Sequence, residues 1–124
     1  MVENKFKRYE VQIPKIVQKA IALANELEFP LMPQGRPIGY QGSPTACIPE
    51  MGRLLSVLAA GYPDGSIAEF GTGAGVGTAW LAHGLSLKAK LFSAELDEQF
   101  AYRVSEILLN IPMLRFFKVI ALRF

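Results

Sequence analysis

The sequence predicts an α/β protein, a partial Rossmann-like (doubly wound) parallel sheet with N-terminal helices, on three observations. From residue 49 onward, segments with helical periodicity alternate with short apolar, strand-like runs. Alternation of that kind places helices as right-handed crossovers on a parallel sheet. A glycine-rich run, AEFGTGAGVGTAWL over residues 68–81, stands where a strand passes into a helix, and such sheets bind their ligands at that junction. The length, 124 residues with 51% hydrophobic and 19% charged, suits one domain with one core.

The first helix is predicted from about Pro14 to Glu28, with Ile16, Val17, Ala20, Ile21, Leu23, Ala24 and Leu27 at helical spacing and Pro14 in the first turn. Pro30 and Pro33 end it. The segment from Phe29 to Thr45 carries Pro30, Pro33, Gly35, Pro37, Gly39, Gly42 and Pro44, which no helix or central strand sustains. Its length marks it as a loop that covers a site. A second helix runs from about Pro49 to Ala60, with Met51, Leu54, Leu55 and Leu58 expected on its buried face and Gly61 at its C-terminus. After the turn YPDG (62–65), the strand Ser66–Phe70 leads into the glycine loop and a helix over about 76–84. Lys90–Ala94 is a second strand. Asp97 caps a helix to about Asn110 with Phe100, Val104, Ile107 and Leu108 inward, and Leu114–Leu122 is a third strand. Residues 1–47 thus form a helix and a Pro/Gly-rich cap loop, and 48–124 the first half of a ligand-binding domain.

A strand that ends in glycines and turns into a helix aims free N–H groups and a positive dipole end at its ligand. The phosphate loop of nucleoside triphosphatases needs Gly-Lys-Ser/Thr, and no lysine lies between Ser66 and Ser86. Gly-x-Gly-x-x-Gly has no strict frame here: counted from Gly71 its last position is Val76, and counted from Gly73 it is Thr78. Glu95 would suit a ribose in a dinucleotide site as well, so it does not discriminate. Glu-x-Gly-x-Gly-x-Gly is met by Glu69, Gly71, Gly73 and Gly75.

With that motif, followed by KLFSAELDEQFA over residues 90–101, the sequence resembles the class I S-adenosylmethionine-dependent methyltransferases, most closely their small-molecule O-methyltransferase branch. The resemblance covers about residues 43–109. It implies methyl transfer from S-adenosyl-L-methionine to an acceptor oxygen on a small molecule. It also implies roles: Glu69 orients the loop and the methionine ammonium, Gly71, Gly73 and Gly75 admit the cofactor closely, and Glu95 accepts hydrogen bonds from the ribose diol. Leu96 would pack on the adenine, while Thr72 and Val76 line the loop and helix start. In that family the region around Tyr40, Gln41 and Ser43 closes over the cofactor. The family sheet has seven strands and this sequence has room for three, so a chain truncated after the third strand is expected. No catalytic residue and no metal ligand can be nominated. A fragment of an NAD-dependent oxidoreductase, or a non-catalytic binding piece, remains the alternative.

The remaining composition excludes more than it assigns. A net charge of +2 is no footprint for nucleic acid, and the basic cluster Lys5, Lys7 and Arg8 reads as a solvated tail. Cys47 is the only cysteine, so no internal disulfide or cysteine-based zinc site is possible, and it reads as a small apolar residue. No secretory signal or membrane-length apolar run is present, and a soluble, cytoplasmic setting is expected. His83 and Trp80 read as structural. An uncovered sheet edge at the first strand predicts self-association.

Overall fold

The computed structural model describes residues 11–29 and 46–109, with the backbone alone of 117–121. The elements are α1 (Lys15–Glu26), α2 (Pro49–Ala60), β1 (Ser66–Phe70), α3 (Val76–Gly84), β2 (Lys90–Glu95), α4 (Glu98–Leu109) and β3 (Phe117–Ala121). Order and type agree with expectation throughout. The expected loop beyond Phe29, with Tyr40, Gln41 and Ser43, lies outside the described residues, as do Lys5, Lys7 and Arg8 and the ends of the third predicted strand.

The three strands are parallel in the order β1-β2-β3. Ile67 stands opposite Leu91, and Leu91 opposite Phe117, so these positions share one face. That face meets the helices: Leu91 is fully buried and Ser93 nearly so, in a core with Val17, Ala20 and Leu23 of α1, Trp80 of α3, and Val104 and Leu108 of α4. On the other face Ser66 and Ala68 are exposed, and Phe70 is 85% exposed. Parallel sheets are ordinarily covered on both faces; here the outer face of β1 is exposed, and among the described residues no strand pairs with its free edge.

Local chemistry explains the element ends. Pro49 occupies the first turn of α2, where its missing N–H breaks no helical hydrogen bond. Asp97 caps α4 by accepting from the amides of Gln99 and Phe100 at 2.8 and 3.2 Å. Gly61 ends α2 in a right-handed conformation at φ −70° and so does not use the left-handed freedom expected of a terminal glycine. The left-handed exit belongs instead to Glu28 after α1, at φ 56°, and it turns Phe29 back so that its amide donates to the Ala24 carbonyl at 2.8 Å.

One expectation is overturned. The buried face of α2 is not Met51, Leu54 and Leu58, which are half exposed, but Gly52, Ser56 and Ala59, with Leu55 half-buried beside them. Small residues win because α2 and α3 approach very closely. Gly52 lies directly under the Trp80 ring, and Gly84 lies on the Ser56 backbone with no room for a Cβ. The Ser56 hydroxyl donates to the Trp80 carbonyl at 2.6 Å. Hydrophobicity alone selects the large side chains; interhelical distance selects the small ones.

Candidate cofactor site

The site is built at the C-terminal ends of β1 and β2. Gly71 and Thr72 leave β1 with their amides both donating to the Ala94 carbonyl, at 2.8 and 3.1 Å, which pins the loop to β2. Gly71, Gly73 and Gly75 have φ of 90°, 54° and 84°, a left-handed region that strains any side chain. Their surroundings differ. A Cβ on Gly71 would meet nothing within 4 Å, so this backbone faces open space, whereas one on Gly75 would stand 2.7 Å from Val104 and one on Gly73 2.9 Å from the Phe29 ring. Gly71 is therefore open to a ligand, Gly75 lies against Val104 with no room for a side chain, and Gly73 is covered by an aromatic ring.

Two carboxylates fix the loop. Glu95 accepts from the Gly73 amide at 2.6 Å on one oxygen, and from Leu96 and Asp97 at 2.8 and 3.1 Å on the other. Glu69 accepts from Thr78 at 2.5 Å and from Ser93 at 2.7 Å, both on Oε2. Ser93 spends its single hydroxyl proton there, so Thr72 is the donor in the 2.6 Å Thr72–Ser93 contact. A chain of hydroxyls thus runs from the loop through β2 to the end of β1. Burial pushes the Glu69 carboxyl above the ordinary carboxylate range, the two hydroxyl donors oppose this, and the Glu95 charge adds to the rise. Its other oxygen, Oε1, lies beside Gly77.

These groups line a cleft of about 480 Å³, within the range of small-molecule sites. Of the sequence-predicted residues, Glu69, Gly71, Thr72, Gly73, Val76 and Glu95 line it together. Gly75 does not; it caps α3 instead. Leu96 is 62% exposed beside the cleft and lines no part of it. Phe29, Phe100, Ala46, Cys47 and Leu55 also line it. Phe29 and Phe100 meet edge to face with centroids 5.6 Å apart. The Cys47 thiol is pushed up by burial and by the Glu69 charge. Sequence reading missed Phe29 as a site residue; the two prolines after it hid it as a loop start, and only the left-handed Glu28 carries it over the glycines. His83 is exposed and stacks edge to face on the buried Trp80, away from the cleft.

The lining is chemically one-sided. Among the described residues it holds two acids and no base, with the Thr72 hydroxyl, the Cys47 thiol and the positive N-terminal end of α3 as further polar features. No three His, Cys, Asp or Glu side chains converge as metal ligands among the described residues. No described helix is long and apolar enough to cross a membrane.

No protein-family model and no curated protein matches the sequence. Solved structures do match the fold, and methyltransferases are among them. The O-methyltransferase TomG of Streptomyces achromogenes, involved in tomaymycin synthesis and crystallised with SAM, aligns over 95% of this chain and 47% of its own, at TM-score 0.69 and 23% identity. A methyltransferase from Geobacter sulfurreducens aligns over 91% of this chain and 52% of its own, at TM-score 0.65 and 17% identity. The O-methyltransferase of Bacillus cereus, in complex with SAH, aligns over 91% and 46%, at TM-score 0.64 and 18% identity. The chain has the Rossmann-like α/β fold of these proteins. It spans about half the length of the chains it matches.

Proposed function

We propose that the cleft binds S-adenosyl-L-methionine and that the chain serves methyl transfer to an oxygen of a small molecule. The observation that carries this reading is the charge of the lining, two carboxylates and no base among the described residues. A dinucleotide brings a diphosphate, which Glu69 beside the loop would repel and no described base would offset, whereas S-adenosylmethionine brings a sulfonium and an ammonium; Glu95 suits the ribose diol of either ligand. Glu95, with two acceptor oxygens, suits the diol; Glu69 suits the ammonium; the open side of Gly71 leaves room for the chain between them. The fold shared with methyltransferases crystallised with SAM or SAH supports the same choice.

When bound, the cofactor supplies a methyl group activated by positive sulfur. What these residues contribute is orientation, which brings donor carbon and acceptor oxygen into line. Glu95 holds the Gly73 amide and so fixes the loop, and the Phe29 ring, edge to face with Phe100, lies against Gly73. No described side chain stands as a base for the acceptor. A second reading, that the chain is a non-catalytic cofactor-binding piece, draws on this feature of the described lining.

Incubation with methyl-labelled S-adenosylmethionine and a panel of phenols and carboxylic acids tests the proposal. Label in an acceptor is expected. Binding of S-adenosylhomocysteine with no label moved would leave the second reading, and binding of NAD alone would overturn both.

A further inference from the structure

We propose that Phe29 is a positioning residue of the cleft: it holds the Gly73 backbone against Glu95, and the contact between the end of α1 and α4 sets it in place from outside. This rests on the reading of the cleft as an S-adenosylmethionine site, in which Glu95 takes the ribose diol. The turn that places Phe29 is strained. Glu28 is the only non-glycine residue at positive φ among the described residues, a conformation that persists only where surrounding contacts over-determine it. Through that turn the Phe29 amide donates to the Ala24 carbonyl at 2.8 Å, and the ring is carried over the glycine loop. There its tip occupies the place that a side chain of residue 73 would take, 2.9 Å from the position of a Cβ. The amide of the same glycine donates to Glu95 Oε2 at 2.6 Å. Gly73 is thus gripped between an aromatic ring and a carboxylate.

Two contacts from α4 hold the end of α1. Phe100 meets the Phe29 ring edge to face with centroids 5.6 Å apart, and Arg103 Nη2 donates to Glu26 Oε1 at 2.7 Å, just before the turn. Phe100 and Arg103 are three residues apart and share a face of α4, so a single face receives both. The two contacts are unequal. The ion pair is partly exposed, with side chains 31% and 59% accessible, and pairs of that kind are weak. The Phe29 ring lines the cleft itself. For a ligand the consequence is preorganisation. A free glycine samples many conformations, from which binding would have to select one. Gripped on both sides, the loop holds Glu95 in one orientation before the diol arrives. Phe29 therefore acts on the ligand through Gly73 and Glu95, and Arg103 acts through Phe29.

Amide hydrogen exchange without ligand and calorimetric titration with S-adenosylhomocysteine, both on the full 124-residue chain, test this together. Phe29→Ala should speed exchange of the Gly73 amide roughly tenfold relative to the amides of β2, which a general loss of stability would speed to the same extent. The same variant should weaken S-adenosylhomocysteine about tenfold. Phe29→Leu keeps an apolar side chain against Gly73 and should fall between the two; it carries the test where the alanine variant does not fold. Arg103→Gln should weaken the ligand about two- to fivefold in the parent and have no further effect in the Phe29→Ala background. Gly73 exchange unchanged by Phe29→Ala, an affinity indifferent to Phe29, or an equal effect of Arg103→Gln in both backgrounds would overturn the proposal. A parent chain that does not bind S-adenosylhomocysteine, with Gly73 exchange responding as expected, would overturn the functional reading and the positioning role with it.

Discussion

Glu69 is a carboxylate placed where its charge is costly, and its position carries a pH signature. Burial raises its native pKa above the unfolded value. Between those two values the native state keeps a proton that the unfolded chain has released, so this residue's contribution to stability is complete at low pH and is lost as pH rises through the raised value. Replacing Glu69→Gln removes that loss, and urea midpoints measured over a pH series should fall less steeply for the variant. A cationic ligand reverses the preference, and its affinity should weaken on acidification through the same window in the parent but not in the variant. Gly73 supports a second prediction at this scale. Gly73→Ala meets both a left-handed φ and the Phe29 ring, so the variant should lose about 1–3 kcal/mol of stability. Adding Phe29→Ala relieves only the clash. A double-mutant cycle should therefore show a coupling well above zero, and strict additivity would contradict the contact.

The elements were largely legible in the sequence, because each has a local cause. Pro49 starts α2, Asp97 caps α4, and the glycines of the loop separate β1 from α3. The candidate site was legible for the same reason. Glu69, Gly71, Gly73 and Glu95 sit at strand ends and turns, where backbone geometry restricts residue type. What could not be read was the outcome of non-local packing. The face that α2 buries depends on how near α3 comes, and Phe29 reaches the cleft through one left-handed residue with no glycine to announce it. Leu96, next to Glu95 in sequence, is exposed and does not line the cleft. A prediction belongs at this scale. In the α2–α3 contact, a Cβ at Gly84 would meet the Ser56 backbone, which cannot move aside as a flexible side chain would. Gly84→Ala should therefore destabilise by about 1–3 kcal/mol, even though alanine is the better helix former. Chemical denaturation reads this directly, and a neutral or stabilising effect would contradict the close approach.

At the scale of the whole molecule, three parallel strands carry a helix layer on one face, and among the described residues no strand pairs with the free edge of β1. The ligand cleft lies at the C-terminal end of that same strand. The central claim is that the acidic cleft takes S-adenosylmethionine, and calorimetric titration with S-adenosylhomocysteine tests it most directly. A single site is predicted. Glu95→Ala, which removes the acceptor for the ribose diol and frees the Gly73 amide, should weaken it about 10–100-fold, and NAD should give no heat. Heat from NAD alone, or S-adenosylhomocysteine binding that is indifferent to Glu95, would contradict the account.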